Sequence, residues 1–458
     1  MLRKLGQRLT SFFRATMPDP FVLAVVLTLA VFLVALIVEG TSVVDTVRAW
    51  QGDTGFWSLL AFSMQMVLIL VTGHALAATP PVRAAIRWLT SLPRDGAQAA
   101  ALVALVAIAA ALVNWGLGLI VGALLARDMG RVCTERGVRA HYPLLVAAGY
   151  SGLMCWHGGL SGTAPLKMTR EPDLIRFLGE DLAAIVDPVG FTETIFSAAN
   201  LITSGGLLVI VPVLCWFLAP RAGDAVETIE AYEVEPERDT KLPEPETLPE
   251  KLGESRLGLV LVLPLLITAV VIFFVDVGFD RLDPNAVNLI FLTLGLVLHG
   301  SLMGYARAIG DAMRHASGVV LQFPFYAGIM GIMRGTGLAA TFAAWLASLA
   351  PAKLYTVMTF LSAGIVNLFV PSGGGQWAVQ GPIAVEAANE LGIPIEQVVM
   401  AVAYGDQWTN MLQPFWALPL LAITGMKARD ILGYTALFLI VGGAWMIGCL
   451  YAQALLTP

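Results

Sequence analysis

Residues 367–376 read Asn-Leu-Phe-Val-Pro-Ser-Gly-Gly-Gly-Gln and interrupt an apolar stretch that runs from about 353 to 390. Three consecutive glycines destabilise an α-helix by about 1 kcal/mol each, and Pro371 supplies no backbone N–H group. The stretch is therefore predicted to form two helices joined by a turn. Because the sequence on both sides of the turn is apolar, we expect the two helices to pack against each other as a hairpin.

The overall composition predicts a membrane protein. Of the 458 residues, 57% are hydrophobic and only 13% are charged, and the mean hydropathy is +0.77. Soluble domains carry about 25% charged residues. A chain this apolar cannot cover a soluble surface, so most of its outer surface is expected to face lipid. No basic block indicates binding to nucleic acid, and the four scattered cysteines lack metal-ligand spacing.

Apolar stretches of about 20 residues, long enough to cross the hydrocarbon core, recur along the chain. A basic segment with Arg3, Lys4 and Arg8 precedes the first stretch, and no signal-peptide cleavage site follows it. The N-terminus is therefore expected in the cytoplasm. The clear candidates are 20–39, 56–78, 191–219, 257–277, 286–304, 317–334 and 430–456, and two further stretches, 141–168 and 397–425, are interrupted by glycine and polar residues.

An acidic segment, 221–256, divides the chain in two. It holds eleven acidic against five basic residues and several prolines. This composition cannot bury a core, so the segment is interpreted as a disordered cytoplasmic linker. The predicted organisation is a first membrane repeat at 1–220, with a hairpin at about 97–130, and an extra span plus a second membrane repeat at 257–458.

The two halves resemble each other in sequence. Gln65 and Gln322 are separated by 257 positions, and Tyr150 and Tyr404 by 254. Such a small drift across a whole half indicates an internal duplication. In the first half, arginines flank the predicted hairpin on both sides, which favours its entry from the cytoplasm; the second hairpin ends among glutamates, which favours entry from outside. The fold class predicted is an all-α polytopic membrane protein with two inverted-topology repeats, each with a re-entrant helical hairpin and a discontinuous transmembrane helix.

Four polar, glycine-rich interruptions carry the predicted chemistry. They are the hairpin turns at 114–118 and 367–376 and the broken helices at 150–163 and 404–414. Irregular main chain at membrane depth must be buried in protein or line a cavity. Broken helices present N–H groups to anions and carbonyl groups to cations. We therefore expect the four interruptions to converge on one pocket near the bilayer midplane, a geometry suited to transport of a small organic anion.

Individual residues follow from this interpretation. The predicted substrate-binding residues are Asn114, His157, Ser161, Thr163, Ser372, Gly373, Gly374, Gly375, Gln376, Asn410 and Gln413. The predicted coupling-ion residues, which would also be the ligands of a bound Na⁺, are Asn114, Gly118, Asn367, Ser372, Asp406 and Thr409. Asp406 is the most specific of them because a carboxylate within a span is costly and usually functional. Structural alternatives stay open for these residues, namely close helix packing for the glycines and internal hydrogen bonding for the polar side chains.

Several motifs resemble the bacterial short-chain fatty acid transporter family. They are Met-Pro-Asp-Pro-Phe-Val at 17–22, Trp-His-Gly-Gly-Leu-Ser-Gly at 156–162, Pro-Ser-Gly-Gly-Gly-Gln at 371–376 and Tyr-Gly-Asp-Gln-Trp-Thr-Asn at 404–410. The resemblance covers the whole chain and implies inverted-repeat secondary carriers of the ion-transporter superfamily, commonly homodimers. The dicarboxylate carriers of that superfamily have Ser-Asn-Thr motifs at both hairpin tips. This chain departs from them at 114–118 and 371–375, which leaves the coupling ion open.

The function predicted is cation-coupled transport, with Na⁺ or H⁺, of short-chain fatty acids or related small monocarboxylates. A passive channel or uniporter for small organic anions is the alternative. The chain is not expected to be an enzyme, and no cofactor other than bound Na⁺ is expected. The expected partners are the monocarboxylate, membrane lipid and a second copy of the chain, and the expected location is the bacterial cytoplasmic (inner) membrane.

Overall fold

The computed structural model describes residues 2–221, 223–232, 246–278, 283–348 and 351–456, and this part of the chain is helical without any β-strand. The α-helices are α1 Leu2–Thr16, α2 Pro20–Val38, α3 Val43–Gln51, α4 Leu60–Ala77, α5 Pro80–Ser91, α6 Gly96–Val113, α7 Trp115–Glu135, α8 Tyr142–Tyr150, α9 Thr163–Lys167, α10 Glu171–Leu178, α11 Glu180–Ala183, α12 Ala198–Leu218, α13 Leu248–Glu254, α14 Leu257–Val277, α15 Pro284–His299, α16 Leu302–Met313, α17 Ser317–Gly335, α18 Leu338–Ser348, α19 Tyr355–Phe369, α20 Gly373–Leu391, α21 Ile395–Thr409, α22 Pro414–Thr424 and α23 Ala428–Leu456.

Six described helices are long and apolar enough to cross a membrane: α2, α4, α6, α12, α14 and α23. The helices α16 and α17 would add a seventh span if this pair, bent by 59°, crosses as one unit. Helices α2 and α14 are largely exposed, and large apolar side chains such as Ile37 and Leu261 stand on their surfaces. The prediction of an all-α, multi-pass membrane protein is confirmed. The orientation of the two halves relative to the membrane stays a prediction.

The first hairpin consists of α6 and α7, which meet at Asn114. A side chain at Gly118 would overlap Cβ of Ala111, and a Cβ atom at Gly122 would lie 3.1 Å from Cβ of Ala107. These two contacts lie three to eight residues on either side of Asn114, as they must if the helices run antiparallel. Helices α6 and α7 therefore pack as an antiparallel pair that runs from Gly96 to Glu135, and re-entry of this pair into the membrane stays a prediction.

The second hairpin consists of α19 and α20. The hydroxyl of Tyr355 donates to the carbonyl of Ala384 at the open end (3.0 Å), and the amide of Gln376 donates to the carbonyl of Ala363 near the tip (2.8 Å). Residues 370–372 form the turn, and the Ser372 hydroxyl caps α20. The interruption at 367–376 thus produces the turn that the sequence predicts.

Each hairpin is followed by a helix that breaks in its middle. In the first half, α8 gives way to two 3₁₀ turns, Ser151–Met154 and Trp156–Gly158, before α9 begins at Thr163. In the second half, α21 passes into a 3₁₀ turn at Asn410–Leu412 before α22 begins at Pro414. The same order of hairpin and broken helix occurs in both halves. We call these interruptions break 1 (residues 151–162) and break 2 (residues 410–413).

Both ends of the acidic linker make contacts with the rest of the chain. Glu227 accepts two hydrogen bonds from the Arg14 guanidinium (2.7 and 2.8 Å), and its N–H group donates to Nδ1 of His141 (3.1 Å). Arg14 also contacts Asp430 in α23 (2.7 Å). At the other end, Glu254 pairs with Arg307. Residues 233–245 of the linker lie outside the described residues, so the expectation of a disordered segment stays a prediction.

Candidate functional site: a pocket formed by two hairpin tips and two helix breaks

The tip of the first hairpin binds break 1 through the main chain. The N–H group of Leu160 donates to the carbonyl of Leu112 (2.8 Å), and the N–H group of Trp115 donates to the Ser161 hydroxyl (3.1 Å). The Asn114 side chain accepts hydrogen bonds from two N–H groups in the first turn of α7. Asn114 and Ser161 therefore both satisfy the start of α7, where N–H groups lack helical partners.

The tip of the second hairpin binds break 2 through side chains. The Asn367 amide nitrogen contacts the carbonyl of Asp406 (2.7 Å), the hydroxyl of Thr409 (3.0 Å) and the amide oxygen of Asn410 (2.9 Å). The Gln413 amide donates to the carbonyl of Asn367. Asn367 is fully buried, so it ties the last turn before the hairpin tip to both sides of the break.

The two breaks lie against each other. The Tyr150 hydroxyl, at the start of break 1, contacts the carbonyl oxygens of Asn410 (2.7 Å) and Gln413 (3.0 Å) in break 2. Tyr404, which is equivalent to Tyr150 by sequence, donates to the amide oxygen of Asn200, whose nitrogen donates to the carbonyl of Gly158 in break 1. Each break therefore has main-chain carbonyls satisfied from the opposite half, directly in one case and through Asn200 in the other.

His157 connects break 1 with α21. Its N–H group donates to the Gln407 side chain (2.9 Å), and its Nε2 lies 3.2 Å from Oδ1 of Asp406. Its Nδ1 accepts a hydrogen bond from the N–H group of Thr163 (3.1 Å). An accepting Nδ1 assigns the ring proton to Nε2, so the imidazole is neutral and presents a donor to Asp406.

The glycine-rich start of α20 packs against break 1. A Cβ atom at Gly373 would come within 2.9 Å of the Thr163 hydroxyl and 3.1 Å of Nε2 of His157. Any larger residue at this position would force the second hairpin tip away from His157. The triple glycine thus permits close approach of main chain to the pocket, and the four interruptions meet as the sequence predicts.

Buried oxygen atoms without hydrogen bonds collect around the second tip. They are Oδ1 of Asn367, Oδ1 of Asp406 and Oε1 of Gln413, on side chains that are at most 5% exposed. Oδ1 of Asp406 lies near Nε2 of His157, but the two atoms are not aligned for a hydrogen bond. Buried acceptors that lack donors are costly, and oxygen atoms are the ligands that Na⁺ and similar hard cations prefer. The donor set therefore fits a small cation, although no group of three His, Cys, Asp or Glu side chains occurs in the described chain.

Buried donors without acceptors collect beside them. The indole N–H groups of Trp156 and Trp416 have no hydrogen-bond partner. Their rings lie 6.5 Å apart, and the Trp115 ring packs within 5.2 Å of the Trp416 ring. An apolar wall with inward donors suits an anion that carries a short alkyl chain. None of these three tryptophans was among the predicted binding residues, although Trp416 lies only two residues beyond the proline that ends break 2.

The predicted site residues divide into two groups. Those that the structure brings to the shared pocket are His157, Thr163, Asn367, Gly373, Gly374, Asp406, Thr409, Asn410 and Gln413. The others serve the hairpins themselves. Gly118 packs against Ala111, Asn114 and Ser161 cap α7, Ser372 caps α20 through the N–H group of Gly375, and Gln376 joins the two arms of its hairpin. For Gly118 the geometry favours the packing role over the coupling-ion role.

Comparison with known proteins agrees with this geometry. The family profile described as "Short chain fatty acid transporter" matches residues 1–453. The chain belongs to this family. A relative from Escherichia coli (strain K12), provisionally named a short-chain fatty acid transporter, is 40% identical over 445 residues, which is 97% of this chain and 98% of the relative. A relative from Haemophilus influenzae with the same provisional name is 38% identical over 439 residues, 95% of this chain and 96% of its own length.

Two solved transporters match the chain at low identity and low TM-score. The YdaH transporter of Alcanivorax borkumensis is 19% identical, with a TM-score of 0.43 over 95% of this chain and 98% of its own. MtrF of Neisseria gonorrhoeae, which represents a class of antimetabolite efflux pumps, is 16% identical, with a TM-score of 0.41 over 95% of this chain and 97% of its own. Because both TM-scores are below 0.5, these structures carry no argument about the site.

Proposed function

We propose that the chain is a symporter that couples the transport of short-chain monocarboxylates to a cation. The observation that carries the proposal is the separation of two kinds of buried atoms in one pocket. One set consists of side-chain oxygens without a donor, on Asn367, Asp406 and Gln413. The other set consists of indole N–H groups without an acceptor, on Trp156 and Trp416. A cation and an anion would each satisfy one set. His157 adjoins both sets, because its ring centroid lies 3.6 Å from that of Trp156 and its Nε2 lies 3.2 Å from Oδ1 of Asp406. Family membership supports transport, rather than catalysis, as the class of function.

Electrostatics explains why the two ligands would move together. Transfer of a lone carboxylate into a low-dielectric pocket is strongly unfavourable. Inward movement of one negative charge also opposes a normal membrane potential by about 2.3 kcal/mol per 100 mV. A cation bound near Asp406 would lower both costs, so the loaded pocket would cross the membrane more easily than a pocket holding the anion alone.

The pocket allows two identities for the cation. Na⁺ would be held by the side-chain oxygens of Asn367, Asp406 and Gln413, which have no other partner. A proton would instead bind to the Asp406 carboxylate, because His157 already uses Nδ1 to accept from Thr163. Asp406 takes part in both cases, so its substitution tests coupling whichever cation is used.

The proposal places the chain in the bacterial cytoplasmic membrane as a homodimer, with its N-terminus in the cytoplasm and its repeats inverted. The arginines on both sides of the first hairpin support this orientation under the positive-inside rule.

Uptake by proteoliposomes tests the proposed function. Purified protein is reconstituted, and uptake of labelled butyrate is measured under an imposed Na⁺ gradient, an imposed H⁺ gradient, or neither. We expect accumulation above equilibrium under one of the two gradients, with saturation at high butyrate. Saturable exchange that ignores both gradients would replace the symporter by the uniporter alternative. Absence of any butyrate uptake above protein-free liposomes would contradict the proposed substrate class.

A further inference from the structure

One face of helix α17 borders the pocket. Gln322, Tyr326, Met330 and Arg334 follow each other at intervals of four residues, so they form one ridge along this helix. Three of the four carry a buried polar atom without a hydrogen-bond partner: Oε1 of Gln322, the hydroxyl of Tyr326 and Nε of Arg334. The Tyr326 ring packs on Phe415, the residue before Trp416. The ridge therefore borders the indole wall of the pocket.

Arg334, at the end of this ridge, is a charge without a counter-charge. The guanidinium group is always protonated in proteins. Its Nε is buried and unpaired, and no carboxylate in the described chain lies within ion-pair distance of it. A partly buried cation that lacks a partner is expensive to keep. Such a group is expected to bind an anion at some stage of the transport cycle.

The Arg334 guanidinium lies at the tip of the second hairpin. A Cβ atom at Gly375 would be 2.5 Å from Nη2 of Arg334 and 3.2 Å from Cε of Met330. Gly373 and Gly374 are the first residues of α20, whose opening N–H groups have no acceptor inside the helix and carry partial positive charge. On the other side of this tip, 1% exposed His157 presents its unpaired Nε2.

These groups share one chemistry. The guanidinium of Arg334, the first N–H groups of α20 and Nε2–H of His157 are all donors, and two of the three carry positive charge. We propose that Arg334 is the residue that binds the carboxylate of the substrate, at the tip of the second hairpin. This inference rests on the proposed function and deepens it, because the sequence analysis named no fixed positive side chain for the anion. Arginine also explains the preference for a carboxylate, which matches its planar pair of donors.

The other end of the ridge opens into a wide cavity. This cavity has a volume of about 560 Å³ and is lined by Gln322 together with three basic residues, Arg314, Lys427 and Arg429. An anion in this cavity would experience a favourable field on its way to or from the pocket. Gln322, Tyr326 and Arg334 would then form successive contacts for the carboxylate along one helix.

Kinetics of a charge-removing variant test the role of Arg334. Wild type, R334Q and R334K are reconstituted into liposomes, and KM and the maximal rate are determined from the uptake of labelled butyrate. We expect R334Q to raise KM at least about tenfold, as for the loss of a charge-assisted hydrogen bond, with a smaller effect in R334K. The matched control is R48Q, because Arg48 is an exposed arginine on α3 that pairs only with Asp45 nearby. R48Q should keep the wild-type KM.

Chain length separates a contact to the carboxylate from a general disturbance of the pocket. If Arg334 binds the carboxylate, R334Q raises KM by the same factor for acetate, butyrate and hexanoate. Butyrate should also raise the melting temperature of detergent-solubilised wild type but not of R334Q, while the two proteins melt alike without ligand. An unchanged KM in R334Q, or a factor that varies with chain length, overturns the role of Arg334. Wild-type protein without butyrate uptake overturns the proposed function and this inference with it.

Discussion

Nε2 of His157 lies 3.2 Å from Oδ1 of Asp406, so a deeply buried ionisable group of the first half meets one of the second half here. His157 comes from break 1, and Asp406 from the helix that precedes break 2. Both side chains are at most 2% exposed. Asp406 is the acidic member of this pair, and the first prediction concerns it.

Replacement of Asp406 by asparagine should abolish accumulation while sparing the fold. Asparagine has the same shape and keeps an oxygen toward His157, so the folded protein should elute and melt like wild type. Loss of the buried negative charge should reduce gradient-driven uptake by about 30-fold or more. Proteoliposome uptake and thermal unfolding in detergent measure the two effects, and Asp45→Asn, an exposed carboxylate paired with Arg48, is the matched control.

The same variant distinguishes the two cations. If Asp406 carries a proton, Asp406→Asn resembles the protonated carrier and should retain butyrate–butyrate exchange without accumulation. If Asp406 is a Na⁺ ligand, exchange should fall together with accumulation. Equal loss of transport and of folded protein would instead assign Asp406 a structural role.

Tyr150→Phe should weaken the junction of the two breaks. The hydroxyl of Tyr150 contacts the carbonyl oxygens of Asn410 and Gln413, and both would be left buried without this donor. We expect a loss of about 1–3 kcal/mol in the free energy of unfolding, which denaturant titration in detergent measures. Tyr451→Phe is the control, since Tyr451 is 46% exposed. Equal stability of the two variants would contradict the importance of the junction.

Gly122→Ala should prevent the first hairpin from packing on α8. The added Cβ atom would overlap the carbonyl oxygen of Gly149, which is main chain and cannot rotate away. We expect little folded protein, measured as the monodisperse fraction after solubilisation. Gly448→Ala provides the control within α23, because nothing lies within 4 Å of its Cβ position and alanine favours a helix by about 1 kcal/mol. Normal yield of Gly122→Ala would show that the helices can separate there.

The linker contacts predict a loss of stability at low pH. Burial lowers the pKa of His141 from 6.5 to about 4, and the hydrogen-bonded Arg14 lowers the pKa of Glu227 from 4.5 to about 2. Both groups bind fewer protons in the folded chain than in the unfolded one. The free energy of unfolding should therefore fall between pH 6.5 and 4 because of His141, by about 3 kcal/mol at most, and fall further below pH 4.5 because of Glu227.

His141→Asn isolates the first of these terms. Asparagine cannot titrate but still offers an acceptor to the N–H group of Glu227. Melting temperatures measured from pH 7 to pH 4.5 should decline less in this variant than in wild type. Parallel declines would assign the pH dependence to other groups.

Local sequence signals predicted the elements of this fold, whereas long side chains that reach across it were missed. Pro371 and the glycines after it interrupt a helix because of their main-chain properties alone, so the second hairpin and its tip could be predicted. The prediction of Asp406 rested on the cost of burying a charge and needed no partner to be known. Arg334 escaped notice because it ends an apolar stretch, where an arginine usually reaches the membrane surface.

The linker shows the same limit. Arg14 and Glu227 lie 213 residues apart in the sequence, and the local composition around Glu227 does not indicate that it pairs with an arginine. For Gly118 the sequence suggested too much. A glycine near a predicted site was interpreted as functional, whereas in the structure its missing side chain lets α7 pack closely against Ala111.

The reciprocal bonds of Tyr150 and Tyr404 limit how the carrier can expose its cargo to the two sides in turn. Tyr150 contacts break 2 directly and Tyr404 contacts break 1 through Asn200, so these bonds would break if either half moved alone. We therefore expect the two halves to move together as one rigid block past the α17 ridge. The proposed cation and the substrate carboxylate would then reach the other side of the membrane while their neighbours within the block stay the same.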